Sequence, residues 1–372
     1  MSLSDPAATP FQRVPASSAE PRVAADLRGL HYPFGRWVPD HGTMFEVAPG
    51  IYWTRMGLPF GIDHINLWVL DAGDGWAIVD TGVNLGASKK AWEQLFAGPM
   101  AGKSVTRLIV THYHPDHLGL AGWLCERWGV TLEIARTEYL LARMLTLDVR
   151  DTPPPEAVDF SIRAGWPEAA VDIMRNRPWG QFNKIVYPLP AGFKRIRDAD
   201  VLTIGTRKWR IVTGRGHAPE HSCLVSDAVD GEAGIMISGD QVLPRITSNV
   251  SVYPGEPYAD PLCDWLESIE ELRAVDRDVL VLPAHNEPFI GLHTRLDQLR
   301  DDHVDKLEKL TAFCAEPRTA FDSFSTLFRK PIGESDYGIA TGEAVAHLHW
   351  LEERGRIRRI SDPTGVDRFV AV

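Results

Sequence analysis

Residues 107–122 read RLIVTHYHPDHLGLAG. A short apolar run at 108–110 stops at Thr111, and His112, His114, Asp116 and His117 follow before Gly119 and an apolar stretch of helical character. Packing gives no reason for a half-buried strand to end this way. Burying imidazoles and a carboxylate costs on the order of several kcal/mol unless each is paired or bound to a metal. In an extended segment His112 and His114 point the same way. Asp116 and His117 come one turn later and reach a second point nearby. The layout suits two metal ions a few ångström apart, each short of a full ligand set.

The surrounding chain repeats the theme. Segments 45–48, 51–55, 64–71 and 76–80 alternate or run apolar between turn signals and read as strands joined by hairpins. The last ends in Asp80-Thr81-Gly82, where the carboxylate either caps the helix expected at 86–97 or supports the neighbouring strand ends, the reading preferred here. Later apolar runs at 208–213, 234–238 and 278–282 lead into His217, Asp240 and His285. Asp80, His112, His217, Asp240 and His285 thus lie at or just beyond the C-terminal ends of separate strands, the edge at which α/β proteins bind ligands. Residues 137–195 interrupt the rhythm with helical patterns, the break at 151–156 and the aromatics Trp166, Trp179, Phe182 and Tyr187. The stretch reads as an insertion over the site whose aromatics either line a substrate pocket or bury the insertion.

The ends of the chain are different in character. Residues 1–40, rich in Pro, Ala and Ser, read as an irregular N-terminal arm without a secretory signal, and 41–290 as the main domain. Residues 291–372 read as an appended module: a long amphipathic helix to about 313 with Leu296, Leu299, Val304, Leu307 and Leu310 as its apolar set, further helices at 319–328 and 342–353, and a short hairpin. This is the order of a winged-helix module, and residues 354–359 are basic. A formal net charge of −11 nevertheless argues against nucleic acid as a partner. Widely spaced cysteines and the lack of a long apolar run point to a cytoplasmic protein without a membrane span.

Five ordered motifs carry a family resemblance: Val79-Asp80-Thr81-Gly82, Thr111-His112-Tyr113-His114-Pro115-Asp116-His117, Gly216-His217-Ala218-Pro219-Glu220-His221-Ser222, Ser238-Gly239-Asp240 and Pro283-Ala284-His285. Over about residues 45–290 the chain resembles the metallo-β-lactamase superfamily. The resemblance implies an α/β fold, an αββα sandwich with a dinuclear site at one edge, extended here by the small, mostly helical, winged-helix-like module. Carried over by motif, His112, His114 and His217 would hold one metal, Asp116, His117 and His285 the other, and Asp240 would bridge them. Asp80 would orient ligands through hydrogen bonds. Asp at 240 and His at 117 look like the glyoxalase II and lactonase branches rather than the true β-lactamases, in which Cys is usual at the bridging position.

The expected activity is metal-dependent hydrolysis of a small ester, thioester or lactone by a metal-bridging hydroxide, with Asp116 also handling the water's proton. Two divalent ions are expected, zinc by default, with iron or manganese compatible with the donor set. The alternatives are a phosphodiesterase or nuclease using the same metals, an iron-dependent persulfide-type dioxygenase, and a ligand sensor without activity. His64 and Tyr253 are candidate substrate contacts, and His221 a supporting or core residue. His293 and His303 are expected on the surface or at an interface. A small-molecule substrate and a possible homo-oligomer complete the expectations.

Overall fold

The computed structural model describes residues 14–15, 24–59, 61–229 and 231–372. Alternation decides the architecture. In strand His64–Asp71, Leu67 and Val69 face one way and Trp68 and Leu70 the other; in Gly75–Val79, Ile78 opposes Ala77 and Val79. Each strand therefore has two apolar faces, and the sheet must be covered on both sides. Its seven strands run in the order Lys194–Arg195, Leu132–Ile134, Ser104–Ile109, Gly75–Val79, His64–Asp71, Ile51–Gly57 and Phe45–Ala48.

The second sheet behaves the same way, with Leu224, Ile237 and Leu282 on its inner face and Val225, Met236 and Val281 on its outer one. Its eight strands run Val201–Ile204, Arg207–Gly214, His221–Ser226, Ile235–Gly239, Leu280–Pro283, Phe289–Ile290, Leu30–Tyr32 and Ala25–Leu27. Trp53, Trp68 and Trp209 interdigitate with the aliphatic residues between the sheets. Helices Gly86–Ala97, Ala121–Trp128 and Arg136–Leu147 cover the first sheet, and Pro261–Glu271 and Leu292–Phe313 the second. The fold is an αββα sandwich. No helix among the described residues is long and apolar enough to cross a membrane.

Two expectations change, for the arm and for the long C-terminal helix, and the alternative left open for the insertion is decided. The arm at 1–40 is not irregular where it is described. Residues 25–27 and 30–32 pair with each other, and His31 pairs with Ile290 at the edge of the second sheet. Leu30 and Tyr32 enter the core, which the Pro- and Ala-rich composition did not signal. Trp37 and Val38, also on the arm, pair with the short strand Val14–Pro15 and enter the core between the sheets, while residues 1–13 and 16–23 lie outside the described residues.

The insertion does not supply aromatics to the cavity at the site. Trp166 donates to Thr341 Oγ1 at 2.8 Å and packs against Tyr337, Trp179 donates to Asp148, Phe182 joins the core outside the first sheet, and Tyr187 bonds Glu126. They bury the insertion rather than line a pocket.

The C-terminal segment consists of helices Leu292–Phe313, Phe324–Leu327 and Tyr337–Glu353 followed by the hairpin Ile357–Ser361 and Asp367–Ala371. It shares one core with the second sheet: Leu307, Leu348, Ile357 and Phe369 join the cluster that holds Val225 and Met236. Val304, expected inside, is 43% exposed, and the neighbouring His303 is buried instead. His303 lies against Trp265 and bonds His347 at 3.1 Å, because the helix turns this face toward the adjoining helix.

Candidate metal centre

Parallel pairing brings the site together. Strand Gly75–Val79 runs parallel to Ser104–Ile109, and Ile235–Gly239 parallel to Leu280–Pro283. Each pair delivers its following residues to one edge: Asp80 and His112 from the first sheet, Asp240 and His285 from the second. His217 arrives from the loop after Arg207–Gly214.

Two groups of donor atoms result, each with every atom within 4.8 Å of the others: His112, His114, His217 and Asp240 in one, Asp116, His117 and His285 in the other. Asp240 lies between them. Its Oδ2 is 3.4 Å from His217 Nε2 and 3.6 Å from His117 Nε2, and its Oδ1 is 3.3 Å from His285 Nε2. Asp116 Oδ2 is 3.4 Å from His285 Nε2 and 3.7 Å from His117 Nε2. All seven residues expected from the sequence as ligands are therefore brought together.

A surrounding shell fixes which imidazole nitrogen faces inward. His117 Nδ1 donates to Asp80 at 2.7 Å, His217 Nδ1 to the Asn249 carbonyl at 2.7 Å, His285 Nδ1 to the His64 carbonyl at 2.8 Å, and His112 Nδ1 to Thr111 Oγ1 at 3.1 Å. Each bond commits Nδ1 as the N–H and turns an Nε2 lone pair into the site. His114 presents Nδ1, 3.0 Å from His112 Nε2. His217 and His112 oppose their Nε2 atoms at 3.3 Å, and the buried His117 Nε2 and Asp240 Oδ1 have no hydrogen-bond partner. Converging lone pairs and carboxylate oxygens repel one another unless cations lie among them. The donor set therefore fits two divalent metals.

The electrostatics follow the same division. Burial and neighbouring imidazoles push His112 well below the ordinary histidine range and His114 to about 3, leaving both neutral. At His117 burial acts in the same downward direction, but Asp80, Asp116 and Asp240 outweigh it and raise the pKa. At His285 Asp240 and Asp116 overcome burial and raise it to about 9. Against burial, the imidazoles of His117 and His285 lower Asp116 to about 2 and Asp240 well below the usual carboxylate range. A metal would replace the protons on His117 and His285, so its binding competes with acid.

Asp80 supports ligands rather than capping the helix. It accepts from the Thr111 amide at 2.8 Å, the Thr111 hydroxyl and His117, and it does so from left-handed backbone, φ 65°. His221 is also a supporting residue: its Nε2 accepts the Asp240 amide at 3.1 Å. Gly239 makes this possible, because a Cβ there would meet His221 Nε2 at 2.5 Å.

His64 corrects its expectation as a substrate contact. It is buried, Nδ1 lies 2.7 Å from Asp63, Nε2 accepts the Asn286 amide, and its carbonyl holds His285. Those bonds turn the ring into the protein. Tyr253 does reach the cavity wall, sharing hydrogen bonds with Tyr113 and Ser251. The cavity, ≈ 250 Å³, opens onto His114, Asp116, His217, Asp240 and His285 beneath apolar Leu58, Ile62, Leu243 and Ile339.

Sequence reasoning passed over Thr111, which bonds Asp80 and His112, and Asn66, whose amide holds the Pro283 and Asn286 carbonyls at 2.9 and 2.6 Å. It also missed Glu138, which joins the Tyr113 and Glu220 amides at 2.9 and 2.6 Å and so ties the two histidine-bearing loops together. Burial raises Glu138 to about 7 even though both amides favour its ionised form. Thr111 stands beside the motif and was open to inspection; Asn66 and Glu138 act on residues distant in sequence and left no local signal.

The comparisons agree with this geometry. The family model described as metallo-beta-lactamase superfamily matches residues 61–285, and that described as metallo-beta-lactamase-like, C-terminal domain, matches 307–372. The probable metallo-hydrolase YqjP of Bacillus subtilis (strain 168) is 24% identical over 309 residues, covering 80% of this chain and 91% of that protein. The crystal structure of a beta-lactamase domain protein from Burkholderia ambifaria is 41% identical with a TM-score of 0.84, over 92% of this chain and 98% of that one. A metallo-beta-lactamase family protein from Thermus thermophilus is 25% identical with a TM-score of 0.73, over 88% and 100% respectively. The chain belongs to the metallo-beta-lactamase superfamily and is a metal-dependent hydrolase.

Proposed function

We propose that the protein hydrolyses a small ester, thioester or lactone at a dinuclear centre, with zinc as the metal. The observation that carries this reading is the double donor cluster, with Asp240 between its halves, opening directly onto a small cavity with apolar walls. His112, His114 and His217 would hold one ion and Asp116, His117 and His285 the other, with Asp240 shared. Nitrogen and oxygen donors at this number and spacing suit zinc. When bound, such a pair supplies a hydroxide near neutral pH and polarises a substrate oxygen.

The chain's own residues do the rest. Asp116, ionised at neutral pH, has a carboxylate oxygen to accept the proton of an attacking water. Tyr253 is protonated at neutral pH, as an ordinary tyrosine is, and its hydroxyl is a donor for a substrate oxygen on the cavity wall. Leu58, Ile62, Leu243 and Ile339 exclude water and accommodate an apolar acyl portion. Two of the four arginines in the basic run 354–359 are engaged within the protein, Arg354 with Asp260 and Arg359 with Glu352 and Asp367, which reduces the charge it offers a nucleic acid. We place the protein in the cytoplasm.

The test is metal analysis of protein purified without chelator, with turnover measured on ester, thioester, lactone and phosphodiester panels. About two zinc ions per chain with turnover of one carbonyl class is the expected result. One iron with oxygen uptake on a persulfide, or turnover of phosphodiesters alone, overturns the reading.

A further inference from the structure

A second cavity, ≈ 340 Å³, lies behind the segment that follows Asp240. Ile246 and Thr247 line both this cavity and the one at the metal centre, so residues 246–247 form a wall between the two. The lining is rich in cations for a chain of net charge −11: Arg28, Arg245, Arg295, Lys306 and Arg329 share it with the carboxylates Asp302 and Glu343, and Arg245 is itself paired with Glu287 at 2.6 Å. Asp302 and Glu343 are both engaged by Lys306, at 3.0 and 3.3 Å.

Arg295 is the telling group. It is 6% exposed, and its guanidinium donates to the Leu243 carbonyl at 2.6 Å, the Ile246 carbonyl at 2.8 Å and Gln298 Oε1 at 3.2 Å. All three acceptors are neutral, and Arg295 forms no ion pair among the described residues. Burial lowers its pKa only to about 10, so it is charged at neutral pH. Asp302 acts on it only from a distance, and a buried cation that is hydrogen-bonded to neutral groups without a direct ion pair costs free energy that an anion in contact would recover. Guanidinium groups match the oxygens of phosphate in paired, directional bonds. The volume exceeds that of an inorganic anion, and Ile246, Leu327 and Phe328 supply apolar wall for an organic body.

We propose that this cavity is an anion-binding site, separate from the metal centre, that takes a phosphate-bearing small molecule. Arg295 and Lys306 form its floor, and Arg28 and Arg329, both exposed, form its rim. The ligand is an effector distinct from the substrate, because the wall at 246–247 separates this cavity from the metal centre. The inference does not rest on the hydrolase reading, because binding is measured without turnover.

The probe is inorganic pyrophosphate, titrated calorimetrically into the full-length metal-loaded protein. Saturable binding is expected, weakened roughly ten- to a hundred-fold in the Arg28→Asn/Arg329→Ser double variant, with metal content unchanged and the fold retained by circular dichroism. Arg295→Met should abolish binding, and the rim variant keeps the test valid if that buried substitution does not fold. Absence of saturable binding overturns the proposal. Undiminished binding in the rim variant also overturns it, because the anion then sits at the metal centre. With a substrate in hand, inhibition by pyrophosphate that is purely competitive and persists in the rim variant places the anion at the metal centre and overturns the proposal.

Discussion

The C-terminal segment touches the support of a metal-ligating histidine through Glu343, and that contact can be cut. Glu343, on helix Tyr337–Glu353, is 7% exposed; its Oε2 accepts from Asn249 Nδ2 at 3.2 Å and its Oε1 from Lys306 at 3.3 Å. The Asn249 carbonyl in turn fixes the tautomer of His217 at 2.7 Å. Replacing Asn249 would leave that backbone carbonyl in place, so Glu343 is the informative residue. Glu343→Leu removes a charged hydrogen-bond partner from both Asn249 and Lys306, a loss of about 1.5–3 kcal/mol per bond at most. Lys306 retains Asp302 at 3.0 Å, so the cation is not left bare. A domain with roughly 5–15 kcal/mol of stability stays folded after such a loss. Metal affinity carries the larger signal, since disturbing the partner of a ligating imidazole typically costs roughly 10- to 100-fold. Glu343→Gln should fall between, because it keeps an acceptor for Asn249 but sets an amide against Lys306. Glu352→Gln, on the same helix but paired with Arg359, is the control. Competition with a chromogenic chelator reads the affinity. If Glu343→Leu is folded and binds metal as tightly as the parent, the coupling through Asn249 is wrong.

Other outcomes follow from the same contacts. Asp80→Asn leaves an acceptor for Thr111 but no longer compels His117 to donate from Nδ1, so metal occupancy measured after dialysis should drop roughly 10- to 100-fold with the fold retained by circular dichroism. Gly239→Ala puts a Cβ 2.5 Å from His221 in backbone at φ 50°, and denaturant titration should show a loss of roughly 1–3 kcal/mol with weakened metal binding. Chelation should lower the melting temperature, because the opposed lone pairs and carboxylates of the site lose their counter-charge. His303 and His347 are buried neutral, with burial and then Lys306 depressing both, His347 to about 4 from 6.5. The unfolded chain therefore binds protons that the folded helix pair refuses, and stability is lost as pH falls from 6.5 toward 4, by on the order of 3 kcal/mol for His347. Urea midpoints across that window should fall less steeply in His347→Gln than in the parent; equal slopes would exclude this pair as the cause.

What was legible in the sequence follows from how locally each feature is encoded. The ligands could be read because strand ends carry their own signature: an apolar run that stops, then Asp or His where packing has no use for one. His112, His114, Asp116 and His117 needed only an extended segment and one helical turn to be placed, and parallel pairing did the same for Asp240 and His285. His64 misled because its signal was equally local. A histidine opening a strand near the site looks like a contact, and only the loop at 283–286, more than two hundred residues away, turns its ring inward. Asn66, Glu138 and Glu343 failed to announce themselves for the same reason. Their partners are set by tertiary approach, and a buried polar residue reads in sequence as an exposed one until the group that satisfies it is known. The long C-terminal helix shows the limit most directly. Periodicity placed Val304 inside and His303 outside, but the neighbouring helix supplies His347 and Glu343 on that side, and a polar partner made the histidine the better residue to bury. The residues that hold the metals are therefore found by pattern. Among the residues that support them, Asp80 ends an apolar strand and was legible in the same way, whereas His64, Asn249 and Glu343 act through tertiary contacts, and substitutions there are the ones whose effects the sequence alone would misjudge.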